Sequence, residues 1–341
     1  NLTTSQGSLN VAVGFDAGAA VTEARANTLI GYQAGTSLTS GNSNSVLGYT
    51  ALGSDTLGDR AVAIGVGALG AQNFTTATDN YNVAVGFNAG TAVTTGENNV
   101  FIGGLCGDSL TTADNCNFIG KSAGGDGVVT GNSNNALGVN ALFVLTSGAN
   151  NTAVGDSAGV SVSSGSNNLL LGHDAGRTGS PGGIVSTNSN VLVLGDENIA
   201  QAFTQVSISA TSDERDKTEF VGLDLGLDFV KALEPVTYYW DKRSKYGDKT
   251  ADDYDLNAQT PDGTHKEDWM DIGFKAQSVQ ALEEAAGYKV ADKKNLTVTL
   301  SEDGKQYGLK YERFIPILVK AIKDQDAIIT SLTARVAALE S

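Results

Sequence analysis

The sequence predicts a mainly β protein: a parallel β-roll or β-helix rod of ~17-residue coils, followed by a small α+β domain that ends in a helical coiled coil. Three observations carry the prediction. A glycine returns at almost constant spacing from Gly14 to Gly172, the composition changes abruptly near Ser212, and the last stretch of chain repeats apolar residues by three and four. The expected domains are a rod over 1–195, a linker over 196–211, and a C-terminal domain over 212–341 whose coiled coil occupies 315–341.

The rod comes first in the chain. Ten glycines (Gly14, Gly31, Gly48, Gly65, Gly86, Gly103, Gly120, Gly138, Gly155 and Gly172) are spaced by 17 residues, with one interval of 21 and one of 18. Such a fixed period marks a stacked-repeat architecture. Val, Ile or Leu precedes the glycine in all ten repeats, and this side chain is expected to point into the core. The residue before it should point away, since strand side chains alternate. It too is apolar, from Ala12 and Leu29 to Phe101 and Leu170. With both strand faces apolar, a lone rod would expose an apolar stripe, so the outer face is expected to pack against other chains. Three residues after the glycine comes Ala, except at Cys106, and then Gly or Leu. Four before it is Asn in eight of ten repeats, expected to mark a corner by bonding local backbone. Each repeat therefore reads as a turn, a strand of about four residues, a glycine corner and a second short segment.

Composition bounds the function classes. The formal net charge of -16 opposes the phosphate-neutralising surface that nucleic-acid binding needs. Nowhere is there an apolar run long enough to span a membrane. No basic leader opens the chain, and residue 1 falls inside a repeat, which reads as a mature product or a cut fragment. Cys106 and Cys116 replace Ala and Asn of the repeat and read as small packing residues, with a disulfide between them as the alternative. Residues 1–211 hold 13 acidic and 4 basic side chains against 25 and 18 in 212–341, which separates two kinds of structure. So few acids in the rod argue against a glycan-cleaving carboxylate pair there. Gly65-Val-Gly67-Ala-Leu-Gly70 matches a dinucleotide fingerprint only as one repeat unit, and Gly124-Gly125-Asp126-Gly127 occurs once, so no cofactor and no metal are expected.

The repeat, Asn-x-Ala-x-Gly-x-x-Ala-Gly/Leu, resembles the head repeats of trimeric bacterial surface adhesins and the rod repeats of phage tail fibres. That resemblance, and not the spacing, implies a homotrimer.

In the second region, Val191–Gly195 gives one more strand, and the linker leads into Ser212-Asp213-Glu214-Arg215-Asp216-Lys217. Then come Leu233-Glu234-Pro235-Val236-Thr237-Tyr238, an acidic loop over about 244–268, Ile272-Gly273-Phe274-Lys275-Ala276-Gln277, a helix near 276–287 and a hairpin of 296–300 with 307–311. The final helix starts near Glu312, with Ile315, Leu318, Ile322, Gln325, Ile329, Leu332, Val336 and Leu339 as its seam. β-Branched residues alternating with Leu nominally favour two strands. The rod to which so short a coil is attached should overrule it. The only histidines are His173 and His265, so a Ser-His-Asp triad in this region would need a distant partner, and a lysine such as Lys217 is the alternative base for a serine here. A free lysine titrates near ~10.4, so a lysine base calls for burial or a neighbouring cation such as Arg215. Five residues along a helix turn about 140°, so the pair requires a turn, or residues from different chains. Alternatively, Thr211-x-x-Glu214 is a helix-capping box and the charges after it form a solvated first turn.

The ordered motifs Ser-Asp-x-Arg-x-Lys, Leu-x-Pro-Val-x-Tyr, Ile-Gly-Phe-x-Ala-Gln and Tyr-x-x-Phe-Ile-Pro-x-Leu closely resemble the intramolecular chaperone domain of phage endosialidase tailspikes, the self-cleaving peptidase S74 family. The resemblance implies a domain that trimerises, guides folding of the preceding fibre and cuts itself off. Carried over, Ser212 is the nucleophile, Lys217 the general base, Asp213 and Arg215 supporting residues, and Thr211-Ser212 the scissile bond. It further implies a virion tail fibre that meets a host receptor or glycan. The rivals are a fibre whose C-terminal domain stays attached, and a bacterial surface adhesin, which should continue into a membrane anchor.

Overall fold

The computed structural model describes residues 9–249, 251 and 253–340. The start of the expected rod (1–8), two positions of the acidic loop (250 and 252) and the last residue of the coiled coil (341) lie outside the described residues. The chain divides into two compact units, Asn1–Asn198 and Ile199–Ser341.

The first unit is a β-solenoid. Eleven three-residue strands pair in parallel in chain order: Val11–Val13, Thr28–Ile30, Ser45–Leu47, Val62–Ile64, Val83–Val85, Val100–Ile102, Asn117–Ile119, Asn135–Leu137, Thr152–Val154, Leu169–Leu171 and Leu192–Leu194. Equivalent repeat positions face one another, as in Ala12↔Leu29 and Val13↔Ile30. The strands stay short because each lies between two left-handed backbone positions. One is five residues before the glycine, as at Ala26 and Ser43, and the other is the glycine itself, with φ from 109° at Gly172 to 151° at Gly48. From Gly14 to Gly155, a Cβ on the glycine would collide with the backbone of the next coil's glycine. Both the conformation and the close approach therefore demand glycine.

The expected strand orientation is reversed. Two before the glycine, Ala12, Leu29, Val46, Ala63, Ala84, Phe101, Phe118, Ala136, Ala153 and Leu170 point inward, and all but the half-buried Ala12 are essentially inaccessible. Immediately before it, Val13, Leu47, Ile64, Ile102, Ile119, Leu137 and Val154 are exposed. Alternation says that the two positions face opposite ways but not which way is in. The narrow interior decides it by volume. Where the inward residue is Phe101, Phe118 or Leu170, the position six residues on is Gly107, Gly124 or Gly176, at which a Cβ would crowd that side chain. Where it is Ala63 or Ala136, the same position is the buried Leu69 or Leu142. Burying one such aromatic is worth about 1.5–3 kcal/mol. The expected apolar outer stripe is present on the opposite face from the one anticipated.

The asparagines act mainly between coils, although Asn134 Nδ2 also donates locally to Gly131 O at 2.8 Å. Asn27 Oδ1 accepts the backbone N–H of Asn44 at 2.8 Å while its Nδ2 donates to Gly41 O at 2.9 Å. The same pattern recurs at Asn99, Asn134 and Asn151. These amides are buried, so the ladder satisfies backbone groups that a tight coil would leave unpaired. Ala61 interrupts the ladder, and Asn80, from the coil with the 21-residue interval, supplies the missing acceptor to Asn82 N at 2.9 Å. Cys116 interrupts it again with only weak sulfur contacts to Asp114 O and Gly131 O, each 3.6 Å. Both cysteines are buried and free. Burial pushes the Cys106 thiol up to about 12 and the Cys116 thiol to about 11.

The second unit contains α1 (Leu227–Ala232), α2 (Ala276–Ala285) and α3 (Phe314–Glu340), with two antiparallel ladders, Val236–Tyr238 with Asp271–Gly273 and Val298–Leu300 with Tyr307–Leu309. Its core is Leu225, Phe229, Val279, Val298, Phe314 and Ile317. Pro316 falls in the first turn of α3, where its missing N–H costs nothing. The helix turns Phe314, Ile317 and Ala321 into the core, leaving Ile315, Leu318, Ile322, Ile329, Leu332, Val336 and Leu339 exposed. The acidic segment carries short 3-10 turns at Arg243–Lys245 and Leu256–Ala258, tied down by Lys242–Glu267 at 3.1 Å and Lys305–Asp255 at 2.9 Å.

Candidate functional site

Ser212 and Lys217 flank a single 3-10 turn, Glu214–Asp216. The cap of that turn is Asp213, not Thr211 as the capping-box alternative requires. Asp213 Oδ1 accepts from Arg215 N at 2.9 Å, and the turn closes with Lys217 N donating to Glu214 O at 3.1 Å. The Arg215 guanidinium grips the Asp213 carboxylate through Nε at 3.0 Å and an Nη at 2.6 Å. This hydrogen bonding holds the Asp213 carboxyl below the usual carboxylate range and raises Arg215 in turn. So fully exposed a pair adds little stability of its own. Its effect is to fix the turn.

Lys217 then leaves the turn in extended conformation (φ -126°, ψ 153°), and its side chain reaches back across it. Nζ lies 2.6 Å from Ser212 Oγ and 3.2 Å from Ser212 O. A helix over these residues would have separated the two groups by the angle computed from its pitch; the 3-10 turn brings them together within one chain. A hydroxyl and an amine at this separation can exchange a proton directly, the requirement for a serine activated by a base. The site is exposed, and apolar side chains on both sides of it, Phe203, Val206, Ile208, Phe220 and Val221, are exposed as well.

Neither histidine offers a base here. His173 Nδ1 lies 3.3 Å from Asp196 in the first unit, and His265 packs edge-on against Tyr246. Among the described residues no group of three or more His, Cys, Asp or Glu could hold a metal ion, and no helix is long and apolar enough to cross a membrane.

Behind the junction, the separated sequence motifs converge. Val236–Tyr238 pairs with Asp271–Gly273, and Tyr311 Oη accepts from Phe274 N at 3.2 Å. Gly273 has no room for a Cβ against that hydroxyl. Phe274 stacks on Phe314 with centroids 5.2 Å apart. Two further organising residues escaped the sequence reading. Asp324 of α3 accepts from Leu227 N at 3.2 Å, capping α1, which has no side-chain cap of its own, and pairs with Lys320. Glu283, buried on α2, takes Leu296 N at 3.1 Å, Thr297 N at 2.6 Å and Thr297 Oγ1 at 2.5 Å. A carboxylate four residues after Val279, on the apolar face of an amphipathic helix, is the signal that could have revealed it.

Residues 212–288 match the peptidase S74 family, described as chaperone of endosialidase. The match begins at Ser212 itself. A parallel β-solenoid followed by this domain fits an endosialidase-type fibre with a C-terminal chaperone domain, and the family implies autoproteolytic activity of that domain. Comparison with curated proteins and with solved structures gave no match.

Proposed function

We propose that this chain is a segment of a phage tail fibre or tailspike, serving host attachment, whose C-terminal domain trimerises and folds the solenoid and then releases itself between Thr211 and Ser212. The observation that carries the reading is the 2.6 Å contact between Lys217 Nζ and Ser212 Oγ at the first residues of the matched domain. In the step envisaged, the neutral Lys217 amine takes the Ser212 Oγ proton and Oγ adds to the carbonyl carbon of Thr211. The Thr211–Ser212 C–N bond breaks, the proton passes to the departing Ser212 nitrogen, and an ester joins Thr211 to Ser212 Oγ. Water hydrolyses the ester, leaving a Thr211 carboxylate on the fibre and a free Ser212 α-amine on the chaperone. Each chain turns over once, because the only bond it cuts is its own.

Trimerisation is supported by the family, by the apolar stripe along the solenoid and by the exposed seam of α3. Covering the exposed junction during assembly would exclude water from the Ser212–Lys217 pair. Cleavage would therefore follow folding rather than precede it. The test is intact mass of the purified chain beside Ser212→Ala and Lys217→Met. Two fragments meeting at Thr211/Ser212 in the parent and one chain in both variants are expected. An intact parent chain that is nonetheless trimeric would overturn the cleavage and leave a permanent folding cap.

A further inference from the structure

The solenoid interior contains a polar connection that no function described above uses. Seven residues after the repeat glycine, the inward column is apolar at Leu38, Val93, Leu110, Leu145 and Val162, all fully buried. In two successive coils it is instead Asp55 and Gln72, equally buried. Asp55 Oδ2 accepts from Gln72 Nε2 at 2.6 Å, and its Oδ1 accepts from Gly58 N and Phe74 N, each at 3.1 Å. Gln72 Oε1 accepts from Asn82 Nδ2 at 2.9 Å, and Asn82 Oδ1 accepts from Asn99 N at 2.9 Å. Each side-chain polar atom in this chain of contacts has a partner, and the Asp55–Gln72 and Phe74–Asp55 bonds join one coil to the next.

We propose that Asp55 and Gln72 form a register lock, which forces their two coils to stack on one another and opposes looping-out of a coil while the solenoid folds. Repeats so alike can stack with one coil omitted, because most columns present the same side chain again 17 residues on. At this place the substitution is not equivalent. Omitting the Gln72 coil would set Asp55 against Val93, and omitting the Asp55 coil would set Gln72 against Leu38. Either leaves a buried polar group without its partner, the asymmetry that makes paired polar residues specify register. The lock also sits where the chain departs from its period. Phe74, which donates to Asp55, and Asn80, which completes the asparagine ladder opposite Ala61, both lie in the 21-residue interval from Gly65 to Gly86. The longer coil and the polar pair thus fit only each other. This inference is independent of cleavage and of the number of chains in the assembly.

The test uses the full chain carrying Ser212→Ala, which stays whole whether or not the junction is active, with Asp55→Leu, Gln72→Leu, the double substitution and Asp55→Asn. Each protein is diluted from denaturant, and hydrogen exchange with mass spectrometry measures the share of molecules protected across residues 48–86. Each leucine single variant should lower the thermal midpoint. The double variant should recover the midpoint while its ratio of slipped to in-register molecules rises ~10-fold over the parent, the factor that one unpaired buried polar group commands. Asp55→Asn keeps one acceptor for Gly58 N and Phe74 N but turns a donor toward Gln72 Nε2, and it should slip more often than the parent although it stays polar and of the same size. A double variant with the parent's in-register share would overturn the lock, as would Asp55→Asn slipping no more often than the parent.

Discussion

Gly103 and Gly104 are neighbours in the sequence and should respond oppositely to alanine. Gly103 has φ 135°, and a Cβ there would sit 2.6 Å from Gly120 O and 2.7 Å from its carbonyl carbon. Ordinary contact begins near 3.4 Å, so the two coils would have to separate by 3.4 − 2.6 = 0.8 Å at this point. That shift falls on the ladder itself, where Gly120 N donates to Ile102 O at 2.8 Å. Strain from a left-handed alanine costs about 1–3 kcal/mol and overpacking about another 1–3, so Gly103→Ala should destabilise by about 4 kcal/mol. Nothing lies within 4 Å of the corresponding position at Gly104, and Gly104→Ala should change stability by less than about 1 kcal/mol, with a gain allowed through the unfolded chain. Because stacked coils unfold in blocks, hydrogen exchange of Val100–Ile102 and Asn117–Ile119 is the appropriate reading beside a denaturant titration. Protection should collapse in the first variant and persist in the second. Equal loss in both, or none in either, would refute the claim that backbone approach at the repeat glycine governs stacking.

Asn151→Ala removes the acceptor for Asn168 N and the donor to Gly165 O inside the solenoid, and should cost about 2–4 kcal/mol in a denaturant titration. Conversely, Cys116→Asn restores the amide missing from the ladder and should raise the thermal midpoint, by a gain of about 1 kcal/mol. Both thiols should resist a disulfide-exchange reagent at pH 8 in the folded chain and react on unfolding, since their pKa values are pushed to about 12 and about 11. The folded values lie above the ordinary 9.0, so the unfolded chain releases these protons first. Their contribution to stability is thus full below pH 9 and is lost as pH rises toward 11–12, which cysteine-to-alanine variants measured by alkaline denaturation would show by a flatter pH dependence.

The junction could be proposed from the sequence because its candidate residues are local. Ser212 through Lys217 are six consecutive residues, and two histidines committed elsewhere leave lysine as the base to consider. What remained open was the geometry between them. An α-helix and a 3-10 turn are both compatible with Ser-Asp-Glu-Arg-Asp-Lys, and the choice rests on Asp213 capping at N–H of Arg215 while the guanidinium folds onto the same carboxylate. Asp324 capping α1 from 97 residues away was beyond any local reading.

For the solenoid, periodicity alone determined the coil length, the parallel stacking, the positions of the glycine corners and the presence of an apolar stripe on both faces of each strand. These follow from rules that act within one repeat: strand alternation, left-handed backbone and the small size of glycine. Which face is interior was decided only by the tertiary structure. The volumes of inward side chains are balanced within and between coils, as Phe101 is by Gly107 of its own coil and Gly90 of the one before, and the column seven residues after the glycine is matched in polarity from coil to coil, as Asp55 is with Gln72. Such matching is a property of residues brought together by stacking. A period records that the coils are alike, whereas the core is built from the ways in which they differ.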